Sequence, residues 1–217
     1  MHNTAMASGN DFFRTYVDHL PGGKVIDIGA QDINGSLKTV CSPNMEYVGV
    51  DFAAGKGVDV ILTNPYKLPF NDNSADVVVS SSCFEHSEFF WMSFLEVIRI
   101  LKPSGVFYLN APSNGVFHRF PVDCWRFYPD SGVALARWAQ ANGNPKLVML
   151  ESYTSAQEPN VPPDCKWNDF VAVYLKNSDH IGTFPNRIAT TRTDVFNVIT
   201  HGVGTITNYQ FLPQDLR

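Results

Sequence analysis

The chain has 217 residues, 44% of them apolar and 17% charged, which is the size and make-up of one domain with a full core. Lys and Arg number 16 against 21 Asp and Glu, a net charge of -5, so no broad cationic surface is on hand to neutralise a phosphate backbone and no nucleic-acid partner is expected. The longest apolar runs, such as DVVVS at 76–80, fall far short of the roughly 18 to 20 residues that span a bilayer, which excludes a membrane-spanning helix.

Residues 1–20 carry acids and histidines where a secretory signal needs a basic start and an unbroken apolar stretch, so a cytoplasmic protein is expected. Cys41, Cys83, Cys124 and Cys165 form no CxxC or CxxxH pairing, so neither a zinc site nor a disulfide frame is expected and all four read as structural. No Asp or His stands at metal-ligand spacing, and no metal is expected.

In chain order, KVIDIG at 24–29, YVGVD at 47–51 and VDVIL at 58–62 are short, β-branched and apolar nearly throughout, the pattern of strands covered on both faces. ADVVVSS at 75–81 and GVFYLNAP at 105–112 continue the series. Between them, SEFFWMSFLEVIRILK at 87–102 repeats Phe90, Phe94, Ile98 and Leu101 at helical spacing and is stopped by Pro103 and Gly105. A second helix is expected from Pro129 to Asn142, with Gly143 just past its end. KLVMLESY at 146–153 and WNDFVAVYLK at 167–176 are further strands. Strands alternating with helices predict an α/β, doubly wound, mostly parallel sheet with helices on both faces. In such a sheet the ligand lies over the carboxyl ends of the strands.

Those ends carry chemistry. Gly29 makes a tight turn after the first strand, but Gln31 and Asp32 stand where a phosphate cradle needs glycines, which counts against a nicotinamide dinucleotide. Asp27 suits a cationic or hydrogen-bond-donating group, and Asp51, ending the second strand, can accept both hydroxyls of a ribose. The loop NGVFHRFPVDCWRFYPDSG at 114–132 follows the fifth strand and hangs over the same end. His118 or Asp123 could take a proton there, Arg119 and Arg126 could hold an anion, and Trp125 and Tyr128 could stack a ring. The structural alternative is that Trp125, Phe127 and Tyr128 pack the loop onto the sheet while Asp123 and Arg126 pair with each other.

VIDIGA, YVGVD, LPFNDNSADVVVSSSCFEH at 68–86 and FLEVIRILKPSGVFYLNAPS at 94–113 resemble, in order and spacing, the class I (Rossmann-like) S-adenosylmethionine-dependent methyltransferases, particularly the small bacterial type-11 group. The resemblance implies a seven-stranded sheet whose last strand, 167–176, inserts antiparallel. It also implies S-adenosylmethionine as cofactor. Asp27, Gly29, Ala30 and Gln31 would hold its methionine part, Asp51 the ribose, Phe52 the adenine face, and Asn64 with Pro65 the adenine edge. Ser81 and Ser82 would border the methyl group, and His86, in the EH element, either reaches the acceptor or braces a loop. Residues 1–176 would then be the methyltransferase domain, with 177–217 an extension that either covers the acceptor pocket or pairs two copies into a homodimer. The expected reaction is O- or N-methylation of a small polar acceptor, with a sugar or sugar nucleotide of a surface glycan as first choice. The alternative is a non-catalytic module that binds the cofactor or its demethylated product.

Overall fold

A computed structural model describes residues 2–157, 162, 166–202 and 206–210. One sheet organises them. Its strands are β1 (Gly23–Ile28), β2 (Met45–Asp51), β3 (Val60–Ile61), β4 (Ala75–Ser81), β5 (Leu101–Pro112), β6 (Val148–Ser155), β7 (Asp169–Leu175) and β8 (Val195–Thr200). They lie in the order β3-β2-β1-β4-β5-β7-β6-β8. β1 to β5 pair in parallel, β7 runs antiparallel to both β5 and β6, and β8 runs antiparallel to β6.

The two-residue period of the strands splits the core into two halves. Ile26, Ile28, Val78, Phe107 and Leu109 face α2 (Phe90–Ile100) and α3 (Pro129–Ala141), where Phe94, Val97, Ile98 and Leu135 meet them. Their neighbours Val25, Val77, Val79, Val106 and Tyr108 face the other way, onto Phe12, Phe13, Tyr16 and Val17. Those aromatics belong to α1 (Asn3–Phe12) and the π-helical turn Phe13–Val17 that continues it. Helices therefore cover both faces, as expected.

Three expectations are corrected. The sheet has eight strands, because VFNVIT of the C-terminal run pairs along β6 and buries Val195, Phe196 and Val198. The described residues after Lys176 therefore complete the sheet edge and pack into the core, and none of them lines the large cavity. The α1 helix was not anticipated: its apolar content is low and it carries Gly9, whose missing Cβ leaves room for Leu37 Cδ2. Between β1 and β4 the chain makes only a 3-10 turn, Leu37–Val40, where full crossover helices were expected. Among the described residues no helix is long and apolar enough to cross a membrane. Cys41, Cys83 and Cys124 are unpaired, and Cys165 lies outside the described residues.

Candidate active site

The carboxyl ends of β1, β2, β4 and β5 open onto a cavity of about 610 Å³, within the ordinary range for small-molecule sites of about 300 to 1,000 Å³. It is lined by Asp27, Gly29, Ala30, Gln31, Asp51, Phe52, Pro65, Ser81 and Ser82, so nine of the ten residues expected to hold the cofactor converge there. Asn64 does not. Its side-chain oxygen accepts the Tyr66 N–H at 2.9 Å, closing a local turn on the exposed surface, while Thr63, Pro65 and Tyr66 take the lining positions.

The turn after β1 shows why these residue types are needed. Gly29 sits at φ +82°, and a Cβ there would lie 2.6 Å from the Cys83 sulfur, so both backbone sign and space require glycine. The Gly29 and Ala30 N–H groups donate to Val50 O at 2.9 and 3.1 Å, which locks the turn against β2. Gln31, standing where a phosphate cradle needs a glycine, lays its side chain over Gly55: a Cβ at 55 would stand 2.5 Å from Gln31 Nε2. The bulk at one position is thus matched by its absence at the other.

Two carboxylates face each other across the strand ends. Asp51 is buried, and its oxygens accept the N–H groups of Gln31 (3.1 Å) and Ala53 (3.3 Å), leaving lone pairs for a ligand. Asp27 is also buried. Burial raises its pKa to about 7, opposed by the Tyr47 hydroxyl that donates to it at 2.7 Å and assisted by the nearby charge of Asp51. Ser81 Oγ donates to Asn110 at 3.1 Å, and Ser82, at φ +53°, turns the chain out of β4 into the EH element.

The loop after β5 divides into residues that reach the cavity and residues that hold the loop. His86 and His118 line the cavity with their rings edge-on at 5.0 Å. His86 Nδ1 contacts Val122 O at 2.5 Å, so that nitrogen carries the proton and Nε2 keeps its lone pair. Glu85, beside His86 in the EH element, is 1% exposed and also lines the cavity. Burial pushes its pKa up to about 8, and its Oε2 has no protein partner.

Asp123, by contrast, is not available as a base. Arg126 grips it with two bonds of 2.5 and 2.8 Å and the His118 N–H adds a third at 2.7 Å. Burial opposes ionisation, yet these donors hold the carboxyl down at about 2. Arg126 also lies 5.8 Å over the Trp167 ring. Trp125 donates to Ser87 O at 2.9 Å and packs against Phe90, while Phe127 packs between Phe90 and Phe170. Tyr128 precedes α3, and Arg119 is exposed. None of Arg119, Asp123, Trp125, Arg126 and Tyr128 lines the cavity, so the loop reading splits: packing for these, site for His118.

Sequence reasoning missed His2, Trp167 and Asp169. The antiparallel entry of β7, with Asp169 opposite Pro112, brings its first residues to the same end as the carboxyl ends of its neighbours. Trp167 and Asp169 therefore join the lining, with His2 stacked on Trp167 at 5.1 Å. In all, Asp27, Asp51, Glu85, Glu88 and Asp169 line the cavity, and no Lys or Arg does so among the described residues.

A family model described as "Methyltransferase domain" matches residues 15–109, the stretch that holds β1 to β4, most of β5 and the carboxyl ends of β1, β2 and β4. Over that stretch the chain is similar to a methyltransferase domain, and its fold is the one found in solved methyltransferase structures. An uncharacterized methyltransferase of Mycobacterium sp. (strain JLS) is 30% identical over 110 residues, 46% of this chain but only 43% of that protein's length. The demethylmenaquinone methyltransferase of Corynebacterium urealyticum is 25% identical over 162 residues, covering 69% of this chain and 70% of that one. The structure of Burkholderia thailandensis 1,6-didemethyltoxoflavin-N1-methyltransferase, bound to 1,6-didemethyltoxoflavin and S-adenosylhomocysteine, has the same fold: TM-score 0.56 at 14% identity, over 81% of this chain and 77% of that one. The matched stretch holds Gly29, Asp51, Ser81, Ser82 and His86. The 114–128 loop and the β7 start, which supply His118 and Trp167, lie beyond the matched stretch.

Proposed function

We propose that this chain transfers the methyl group of S-adenosylmethionine to an oxygen or nitrogen of a small acceptor. The observation that carries the reading is the cavity's acidic lining: five carboxyl groups, Glu85 the one that burial holds protonated at neutral pH, and no Lys or Arg among the described lining residues. Such a wall suits a cation and rejects a pyrophosphate. When bound, the cofactor supplies an electrophilic methyl on a sulfonium. Asp51 accepts the ribose hydroxyls, Asp27 meets the ammonium of the methionine part, and Gly29 and Ala30 let the ligand lie close to the backbone. Phe52, exposed and on the wall, covers the adenine, and Ser81 and Ser82 border the methyl.

The acceptor side lies toward His86, His118 and Trp167, with Phe120, Pro121 and Val122 as an apolar wall. These fit an acceptor with an apolar body and one nucleophilic atom. The sugar nucleotide expected from Arg119, Arg126, Trp125 and Tyr128 loses its argument, since those side chains are engaged elsewhere or outside the cavity. Holding acceptor and methyl donor in line supplies much of the acceleration, about 7 to 11 kcal/mol for well-oriented reactants. The unpaired Cys41, Cys83 and Cys124 go with a reducing compartment such as the cytoplasm.

A crystal structure with S-adenosylhomocysteine tests the reading. Its sulfur is expected between Ser81–Ser82 and the two histidines. A sulfur more than about 8 Å from both imidazoles would overturn the placement, since no acceptor atom could then meet the methyl and a histidine at once.

A further inference from the structure

On the acceptor side, three side chains of metal-ligating chemistry meet. Glu85, His86 and His118 each offer one ligand atom, and the three atoms lie within 4.8 Å of one another. The Glu85 Oε1 to His86 Nε2 distance is 3.6 Å, close to the edge of about 3.3 to 3.4 Å that two ligands make around a tetrahedral ion at about 2.0 to 2.1 Å. The sequence hides this group, because 32 residues separate His86 from His118 and no short ligand spacing announces it.

The surroundings orient the ligands. His86 Nδ1 donates to Val122 O, which aims the Nε2 lone pair inward. His118 Nδ1 lies 3.3 Å from both Asp123 Oδ2 and Val116 O, two acceptors that hold the proton on that nitrogen and leave Nε2 for a ligand. Asp123 is itself fixed by Arg126, completing a carboxylate–histidine arrangement of the kind that supports bound metals. An independent sign is Glu85 Oε2, a carboxylate oxygen fully buried at the cavity and without a protein partner. A buried carboxyl oxygen without a partner is costly, and Arg126, the cation whose charge reaches Glu85, has its guanidinium bound to Asp123.

We propose that Glu85, His86 and His118 bind one divalent first-row transition ion, with its open coordination positions facing the acceptor. Two imidazoles and one carboxylate suit zinc, iron(II) or cobalt(II) and disfavour magnesium and calcium, which want oxygen shells. The ion gives an acceptor with an oxygen or nitrogen donor a fixed point beside the methyl. The proposal deepens the reading above by naming what anchors the acceptor, and it rests on that reading only for the ion's role, not for its binding.

The test is titration of the chain with Co²⁺ alone, followed by visible absorption, with S-adenosylhomocysteine affinity measured separately by calorimetry. One Co²⁺ per chain with the intense bands of a four- or five-coordinate ion is expected. His118→Ala, on a part-exposed loop, and Glu85→Gln should each weaken Co²⁺ binding by about 100-fold or more, whereas Arg119→Ala leaves it unchanged. Absence of such bands, or equal affinity in His118→Ala, overturns the site even if Glu85→Gln proves unstable. If Co²⁺ binds as described and S-adenosylhomocysteine does not, the ion site stands and the methyl-transfer reading falls; the reverse result removes the ion and keeps the reading.

Discussion

At the scale of single residues, three carboxylates with three environments give three different outcomes. Asp51 keeps lone pairs facing the cavity, and Asp51→Ala is expected to weaken S-adenosylhomocysteine binding by about 2 to 3 kcal/mol, the worth of hydrogen bonds to a charged acceptor; isothermal calorimetry reads this directly. Asp27 is raised to about 7 by burial, so its ionised form, the one that meets an ammonium, fills only as pH rises through that value. Affinity should therefore grow from about pH 6 to about pH 8 and lose that growth in Asp27→Asn. In the unliganded protein the sign is opposite: a raised carboxyl pKa means stability present at low pH is lost as pH passes about 7. Asp123, held near 2, contributes about 2 kcal/mol above the ordinary carboxylate pKa and loses it as pH falls toward about 2. Urea denaturation of Asp123→Asn should show a deficit of that size at pH 7 that narrows at pH 3; an unchanged deficit would mean the Arg126 pair is not its source. Asp27 and Asp51 were legible because strand-end position alone aims them. The fate of Asp123 was not, since HRFPVDCWRF leaves open whether Asp123 meets a substrate or Arg126, and only three-dimensional proximity decides it.

At the scale of elements, the C-terminal segment is part of the core. The carboxylate of Glu151 accepts Tyr16 Oη at 2.6 Å and the N–H groups of Ile188 and Ala189 at 2.8 and 2.9 Å, and Arg192 Nη1 donates to Ser8 of α1 at 2.9 Å. Phe184, Ile188, Val195 and Val198 are buried beside it. At about 1.5 to 3 kcal/mol for each large apolar side chain, their removal rivals the whole stability of about 5 to 15 kcal/mol for a domain. Truncation after Asn177 should abolish the cooperative thermal transition seen by circular dichroism. A truncated chain that melts cooperatively near the full-length temperature would show the segment to be an appendage. The pairing of VFNVIT with β6 was not legible, because VMLESYTS carries Glu151, Ser152 and Thr154 and nothing in it marks a second neighbouring strand. The start of β7 was half legible: an antiparallel last strand implies that its first residues share the ligand end, which is where Trp167 and Asp169 lie.

For the whole molecule, strand order and cavity follow from one feature, the switch between β1 and β4 that opens the carboxyl ends on both sides. Motifs at four strand ends made that architecture readable, since the apolar runs close on turn or polar residues at Asp27 to Gly29, Asp51, Ser81 to Ser82 and Asn110 to Ser113. The charge of the cavity was not readable, because Glu85, Glu88 and Asp169 come from three places that only the sheet brings together. Calorimetric titration of the full chain with S-adenosylhomocysteine tests most directly whether this acidic wall, with no Lys or Arg among its described residues, holds the cofactor. One site per chain with micromolar affinity, weakened at least about 30-fold by Asp51→Ala, is the predicted result; no binding, or equal affinity in the variant, would contradict it.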